Sequence, residues 1–473
     1  MTPLPSPQRL RGLLHALAHG LLERGSAIHL ALLAALAGEH VLLIGPPGTA
    51  KSALARRLHG AFADTRYFER LLTRFSTPEE LFGPLSLKSL EEDRYERLID
   101  GFLPTAGIAF LDEVFKANSA ILNALLTLLN EREFDNGTAR LRTPLVAVIA
   151  ASNEVPADEA LQAFHDRFLV RIPVAPVGDE SFRALLALDD APPPLPDAIT
   201  PAERAAIAAA AAGVALGEDF VAGCLALRCW LAQQGTPLSD RRWRQIVGLA
   251  RTMAASEGRT ALDALDLWLV PYVASATPAA VPGLQQWFEA DLLQLPPPTA
   301  PWLERAVQAF DKQLELEQRA LPEGGDDGAA GKLALARAIG LGDGTPDDGD
   351  AQRPAMPRIV SERLQAQLQR RWSSVHIAAR VAQVAQIQDQ VAAAHAAVSA
   401  RAAAIDDALA ARIWMPPALR LHLQVTFATA LQGLAEQAEH LSAVRQGFAA
   451  LPLDETAVAG AAPVAVDMRL QAD

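Results

Sequence analysis

Residues 45–52 read Gly45-Pro46-Pro47-Gly48-Thr49-Ala50-Lys51-Ser52, and this stretch decides the fold. The apolar run Val41–Ile44 before it predicts a buried strand, and Ala53–Leu58 after it predicts a helix. A glycine-rich loop between a strand and a helix points backbone N–H groups at the β-phosphate of a nucleotide. In such a loop Lys51 reaches the β- and γ-phosphates, and the Ser52 hydroxyl holds Mg²⁺. The stretch therefore predicts a P-loop for ATP and Mg²⁺, with all eight residues forming the nucleotide-binding loop.

One position departs from the usual motif, because Ala50 stands where a P-loop normally has glycine. Alanine strongly prefers negative φ, so we expect the backbone to be nearly helical at this point of the loop.

Acidic and amide side chains follow two further apolar runs. Ile108–Leu111 is closed by Asp112 and Glu113, and the run Leu145–Ala150 is followed shortly by Asn153. In a doubly wound sheet, ligands lie beyond the carboxyl ends of the strands, so these side chains face the nucleotide. Asp112 is expected to hold Mg²⁺ through water, and Glu113 to act as general base on the attacking water. Asn153 is expected to orient that water.

Two arginines are candidates for contacting the transferring phosphoryl group. Arg167 lies just before the apolar run Leu169–Ile172 and is favoured to complete a neighbouring subunit's site, with Arg171 as its rival. Arg241, near the start of a helix, is expected to reach the γ-phosphate. Arg242 and Arg244 are the alternatives to Arg241, and solvated helix arginines are common.

Taken in order, GPPGTAKS, FLDE, ASN, DRF and SDRRW resemble the MoxR branch of AAA+ ATPases, and its RavA subfamily most closely. The stretches 73–84, 95–97, 122–126 and 130–132 add to the resemblance, which covers about residues 5–275. It implies a hexameric ring with sites shared between subunits. Asn153 then corresponds to sensor 1, Arg167 to the arginine finger and Arg241 to sensor 2. Such proteins are chaperone-like ATPases that often act with a von Willebrand factor A-domain partner on a protein client.

The resemblance and the pattern of runs together predict an α/β fold. An AAA+ P-loop parallel-sheet domain is followed by an all-helical lid and a C-terminal helical bundle or hairpin module. The resemblance places a helix-2 insert at about 73–107 and a β-hairpin turning at 134–137, where Asn-Gly favours a tight turn. The predicted boundaries are 1–177 for the α/β domain, 178–275 for the lid, 276–301 for a Pro-rich connector, 302–451 for the helical module and 452–473 for a flexible tail.

The helical module carries two features of its own. An apolar stripe steps by threes and fours from Ile377 to Leu409, which predicts a long amphipathic helix covered by the module's other helices. Residues 322–357 read as a solvated linker, because 323–350 holds eight glycines and seven acidic residues. Some relatives carry a compact extra domain at this place, and this linker is too short for one. We expect the nucleotide motifs to work without anything after Pro301.

Composition limits the class of partner. The formal net charge of −13 argues against wholesale binding to nucleic acid or to an anionic membrane. The longest apolar stretches are too short to span a bilayer, which favours a cytoplasmic protein. The two cysteines, Cys224 and Cys229, are expected to be buried small side chains rather than a disulfide.

Three functions remain open from the sequence. The first is an ATP-driven protein remodeller, which the potential base Glu113 favours because a pure switch needs no base. The second is a nucleotide-gated scaffold that assembles with little turnover. The third is a nucleic-acid translocase or loader, which the acidic charge counts against.

Overall fold

The computed structural model describes residues 3–156, 158–188, 195, 197–298, 300–320, 370–454 and 463–466. It divides into two compact units, Met1–Leu295 with Asp406–Leu423, and Pro296–Ile405 with Gln424–Asp473. The expected linker 322–357 lies outside the described residues, as does most of the expected tail 452–473.

The first unit is built on a five-stranded parallel sheet. Its strands are β1 (Val41–Ile44), β2 (Tyr67–Leu71), β3 (Ile108–Asp112), β6 (Ala147–Ser152) and β7 (Val170–Pro173). They lie in the order β2-β3-β6-β1-β7, so β1 and β6 are central. All residues of β1 and β6 are buried, which explains why these runs are continuously apolar. The predicted α/β fold is confirmed.

One strand was missed by the sequence analysis. β2 lies at the sheet edge, and only one of its five residues is buried. Its polar residues Glu69 and Arg70 interrupt the apolar pattern, so the segment does not read as a buried strand. An edge strand with one solvated face tolerates such residues.

Helices connect these strands and flank the sheet. They are α1 (Pro7–Ala18), α2 (Gly25–Ala37), α3 (Lys51–His59), α4 (Pro78–Phe82), α5 (Leu87–Glu91), α6 (Ser119–Glu131) and α7 (Glu159–His165). The two short helices α4 and α5 lie in the 73–107 segment between β2 and β3. After α6, β4 (Glu133–Asn136) and β5 (Ala139–Arg142) pair antiparallel, and Gly137 turns between them with φ of +66°. The expected hairpin is therefore present.

The lid follows as α8 (Asp179–Leu186), α9 (Pro201–Ala212), α10 (Glu218–Gln233) and α11 (Asp240–Ser256). Thr200 and Glu203 form the expected capping box of α9, and Ser239 caps α11. The expectation of helices alone needs one correction, because β8 (Ala215–Leu216) and β9 (Ala261–Leu262) form a small parallel ladder.

The two cysteines of α10 are free, as expected. The expectation that both are buried was wrong, since Cys224 is half-buried and Cys229 is exposed. The helix turns one face to solvent, and the five-residue spacing puts Cys229 on that side.

The expected Pro-rich connector, 276–301, is largely packed structure. The short helices α12 (Val270–Val273) and α13 (Val281–Gln286) continue the lid, and a π-helical turn spans Trp287–Leu292. Trp287 and Phe288 are buried there, so the first unit extends to Leu295. Pro282 lies in the first turn of α13, where its missing N–H removes no intrahelical hydrogen bond.

The second unit contains α14 (Pro301–Arg319), most of α15 (Ser374–Ala411) and most of α16 (Pro417–Ala449). The predicted stripe is covered from within this unit, because Val384, Ile387 and Val391 pack with buried side chains of α14 and α16. The turn between α15 and α16 belongs instead to the first unit, as residues 406–423. In the described parts of α1 to α16, no helix is long and apolar enough to cross a membrane.

Candidate functional site

The loop between β1 and α3 has the expected position and an unexpected backbone. Gly48 and Ala50 adopt φ of +77° and +63°. The expectation of a nearly helical Ala50 was therefore wrong, because the loop needs a left-handed residue just before α3. Left-handed alanine is strained, so surrounding contacts must hold it. Gly45 has no alternative, since a Cβ there would lie 2.0 Å from the carbonyl oxygen of Val174.

Lys51 is placed inside this loop rather than in solvent. Its Nζ donates to the carbonyl oxygens of Gly45 and Pro46 at 2.8 and 2.7 Å. Burial lowers the pKa of Lys51, while Asp112 and Glu113 oppose that shift with their charges. The ammonium group of Lys51 and the two carboxylates are therefore close enough to attract one another.

The acidic pair lies at the carboxyl end of β3, as predicted. Asp112 ends the strand, and its Oδ1 accepts a hydrogen bond from the backbone N–H of Glu113 at 3.0 Å. Glu113 has φ of +51°, which turns the chain sharply after the strand. A left-handed backbone at a glutamate costs energy and is typical of functional sites.

Asn153 meets Glu113 directly. The Nδ2 of Asn153 donates to Oε1 of Glu113 at 2.5 Å, while Lys116 Nζ lies 3.1 Å from the other oxygen. Since β6 lies between β1 and β3, Asn153 stands between the P-loop and the acidic pair. The structure therefore brings together the loop, Asp112, Glu113 and Asn153, as the sequence predicted.

A cavity of about 320 Å³ opens beside the P-loop. Its walls are residues 46–50 of the loop, 20–22 and Arg24 before α2, and Pro176, Val177, Phe182 and Leu185. The volume lies in the range of small-molecule sites, and the mixed apolar and backbone lining suits a nucleotide base and ribose. The part of the wall outside the P-loop could not be predicted from the sequence, because residues 20–24 and 176–185 carry no motif of their own.

The residues present fit Mg²⁺ and ATP. The left-handed backbone at Gly48 and Ala50 forms the kind of N–H concavity that binds phosphate, and α3 begins directly behind it. The Ser52 hydroxyl and the Asp112 carboxylate are hard oxygen donors of the type Mg²⁺ prefers. Among the described residues, no group of three or more His, Cys, Asp or Glu side chains is placed to hold a metal ion.

Arg167 lies at the amino ends of the strands, whereas the P-loop lies at their carboxyl ends. It precedes β7, whose first residue pairs with Val41 at the start of β1, whereas the P-loop follows the end of β1. The four residues of β1 span about 13 Å between these two ends of the sheet. The rival Arg171 is buried, and it donates to the carbonyls of Ser275 and His165. Arg171 is thus a structural residue, which leaves Arg167 as the half-buried candidate.

Arg241 also lies at the amino ends of the strands, so the structure does not place it beside the P-loop of its own chain. Its Nη2 donates to Asn130 Oδ1 at 2.9 Å. On the same helix, Gln245 binds Glu39, which precedes β1, and Arg242 donates to the carbonyl of Leu169, which precedes β7. These contacts fix α11 at the amino ends of the strands.

The alternatives to Arg241 differ in exposure. Arg242 is buried and holds Asp166 and the carbonyl of Val273, so it fastens the lid to the sheet. Arg244 and Arg241 are exposed and line a second cavity of about 700 Å³ between α2, α9 and α11. No P-loop residue lines this cavity. None of the three arginines reaches the P-loop within this chain.

Comparison with known proteins matches two parts of the chain to family models. Residues 8–191 match a family model described as the MoxR domain in the MoxR-vWA-beta-propeller ternary systems. Residues 223–288 match a model described as an AAA lid domain. A candidate ATPase from Cytophaga hutchinsonii, 18% identical, shares the fold with a TM-score of 0.50 over 61% of this chain and 94% of that chain.

Curated relatives add sequence identity. The chain is 41% and 40% identical to two uncharacterised proteins of Methanocaldococcus jannaschii, in each case over 53% of this chain and 66% and 67% of the relative. It is 31% identical to Protein MoxR of Paracoccus denitrificans, over 37% of this chain and 53% of MoxR. The chain thus spans about two thirds of the length of the first two and about half of the third.

The parallel sheet, its P-loop and the helical lid define an AAA+ ATPase. Within that class the chain belongs to the MoxR family. The closer resemblance to the RavA subfamily stays a prediction.

Proposed function

We propose that the protein hydrolyses ATP with Mg²⁺ at the P-loop, with Glu113 as general base. The observation that carries this proposal is the hydrogen bond from Asn153 to Glu113, on neighbouring strands beside the P-loop. A carboxylate held this way can accept a proton from water, which a nucleotide switch without turnover does not need. Mg²⁺, when bound, would be held by Ser52 and Asp112 and would neutralise charge on the phosphates.

Each residue of the site has a role in this proposal. Backbone N–H groups of residues 48–52 bind the phosphates, because Pro46 and Pro47 have no N–H and Gly45 donates its own to Ser152. Lys51 adds a cation to the β- and γ-phosphates. Ser52 and Asp112 hold the metal, with Asp112 acting through water. Asn153 orients Glu113 and the attacking water.

Active sites are proposed to be shared around a homo-hexameric ring. The position of Arg167 supports active sites shared between subunits, because Arg167 lies at the amino ends of the strands, away from its own P-loop. A neighbouring subunit would present Arg167 to the phosphates as an arginine finger. Arg241 also lies at the amino ends of the strands, so any contribution it makes to hydrolysis would be to a neighbouring subunit's site.

The proposed cellular role is chaperone-like remodelling of a protein client, with a von Willebrand factor A-domain partner. The description of the family model, MoxR-vWA-beta-propeller ternary systems, supports a partner of this type. The acidic net charge of −13 favours protein over nucleic acid as the substrate.

Turnover and assembly measured on the same sample separate the candidate functions. We expect saturable phosphate release in Mg²⁺ that stops in EDTA, together with nucleotide-dependent hexamers in analytical ultracentrifugation. Hexamers whose turnover equals that of Lys51→Ala would instead identify a nucleotide-gated scaffold. A salt-sensitive gel shift with DNA or RNA that stimulates turnover would favour a translocase.

A further inference from the structure

Arg24 is a buried arginine that the nucleotide motifs do not include. It lies at the start of α2 and is only 5% exposed. Its Nε donates to the carbonyl oxygen of Thr49 at 3.1 Å, and its Nη2 donates to the carbonyl oxygen of Ala175. One guanidinium therefore joins the P-loop to the segment that leads from β7 into the lid.

The contact with Thr49 acts on the strained position of the loop. The carbonyl of Thr49 and the N–H of Ala50 belong to one planar peptide unit, so fixing the oxygen also fixes the direction of the N–H. Ala50 is the residue at φ of +63°, where alanine is strained and glycine is not. The rigid fork of a buried guanidinium suits this task better than a flexible ammonium group.

Glu23, the residue before Arg24, also contacts the wall of the cavity that faces the P-loop. Both carboxylate oxygens of Glu23 accept from the backbone N–H of Gly178 at 3.1 Å, at the start of α8. Phe182 and Leu185 of α8 line the cavity beside the P-loop. The dipeptide Glu23-Arg24 thus connects the phosphate loop with the opposite wall of the cavity.

We propose that Arg24 is a positioning residue for ATP, which holds the Thr49–Ala50 peptide in the conformation that binds phosphate and so replaces the usual glycine at position 50. This inference rests on the proposed ATP site. It makes the effect of Arg24 depend on residue 50, whereas an arginine that contacted the phosphates directly would act whatever residue stood there.

The test is a double-mutant cycle in the full chain with Arg24→Ala, Ala50→Gly and the combined variant. Arg24→Ala is expected to raise KM and the ATP dissociation constant about tenfold, the effect of one hydrogen bond from a charged donor, with kcat within about threefold. With Gly at position 50, removing Arg24 should raise KM less than about threefold. An equal rise in both backgrounds, or an unchanged KM in Arg24→Ala, would overturn the proposal.

Arg57→Ala is the matched control, since this half-buried arginine donates to the carbonyls of Leu17 and His19. It should lower Tm without changing KM. If Arg24→Ala does not fold, Arg24→Lys keeps the charge but loses the fork, and its raised KM should fall again with Ala50→Gly. An Arg24→Lys variant with normal KM would contradict the proposal. Failure of the wild type to bind ATP would instead refute the proposed function.

Discussion

Asn153 donates from Nδ2 to Oε1 of Glu113 at 2.5 Å, across the ends of two adjacent parallel strands. The contact fixes the carboxylate that is proposed to activate water. Asn153→Ala should therefore lower kcat by about tenfold to a hundredfold, a part of the usual effect of a general base, with little change in KM.

A stopped-flow phosphate-release assay with matched ATP titrations measures this split between kcat and KM. Asn136→Ala is the control, because the side-chain amide of this asparagine is also hydrogen-bonded, accepting from the N–H and donating to the carbonyl of Arg97, but it lies in the β4–β5 hairpin. A variant Asn153→Ala with wild-type kcat would show that Glu113 needs no such support.

Lys51→Ala should abolish ATP binding. The ammonium group lies within the loop, at 2.8 and 2.7 Å from two loop carbonyls, and its loss removes the one cation of residues 45–52. Isothermal titration with ATP measures the effect, and Lys88→Ala, at an exposed lysine of α5, serves as control. Equal affinity in Lys51→Ala and the wild type would refute the P-loop assignment.

Arg167 should act on a neighbouring subunit. Rings that mix Arg167→Ala with Glu113→Gln subunits should regain turnover at interfaces pairing an intact Glu113 with an intact Arg167. Arg171→Ala should instead destabilise the fold by about 2–4 kcal/mol, because it leaves buried carbonyls without a donor. Activity never above that of either mutant alone would contradict shared sites, and complementation by Arg171→Ala alone would make Arg171 the finger.

Removing the chain after about residue 300 should destabilise the first unit, contrary to the expectation from the motifs. Trp414 is fully buried, and its Nε1 donates to Ser256 Oγ at 2.8 Å while its carbonyl accepts from His29 Nδ1 at 3.0 Å. Trp414→Ala should cost about 3–5 kcal/mol of unfolding free energy. Urea unfolding measures this, with the exposed Leu421→Ala as control, expected within about 0.5 kcal/mol. A truncated chain with wild-type Tm would contradict the prediction.

The sequence was most informative where local pattern and topology coincide. A buried run followed by Gly/Pro or by acids locates β1, β3 and the residues after them, because parallel strands end at one edge. Asn153 could be placed for the same reason. The polar edge strand β2 lacks this signal.

Contacts between residues far apart in the sequence could not be predicted in the same way. Arg241 and Arg242 are adjacent in sequence, yet one is exposed and the other buried against the sheet. Their position depends on how α11 packs, which no motif encodes. The same holds for Arg24, whose partners Thr49 and Ala175 are 25 and 151 residues away. The turn at 406–423 joins the first unit through contacts about 150 residues apart, such as Ile413 with Glu257.

The role of Glu113 is tested most directly by rapid-quench measurement of a single turnover in Glu113→Gln, alongside equilibrium binding of ATP. The glutamine keeps the size of the side chain and its contact with Asn153, but it cannot accept a proton from water. We predict ATP affinity within about threefold of wild type and a hydrolysis rate at least about a hundredfold lower, as for loss of a general base. Hydrolysis within a few-fold of wild type would contradict the assignment of Glu113 as the base.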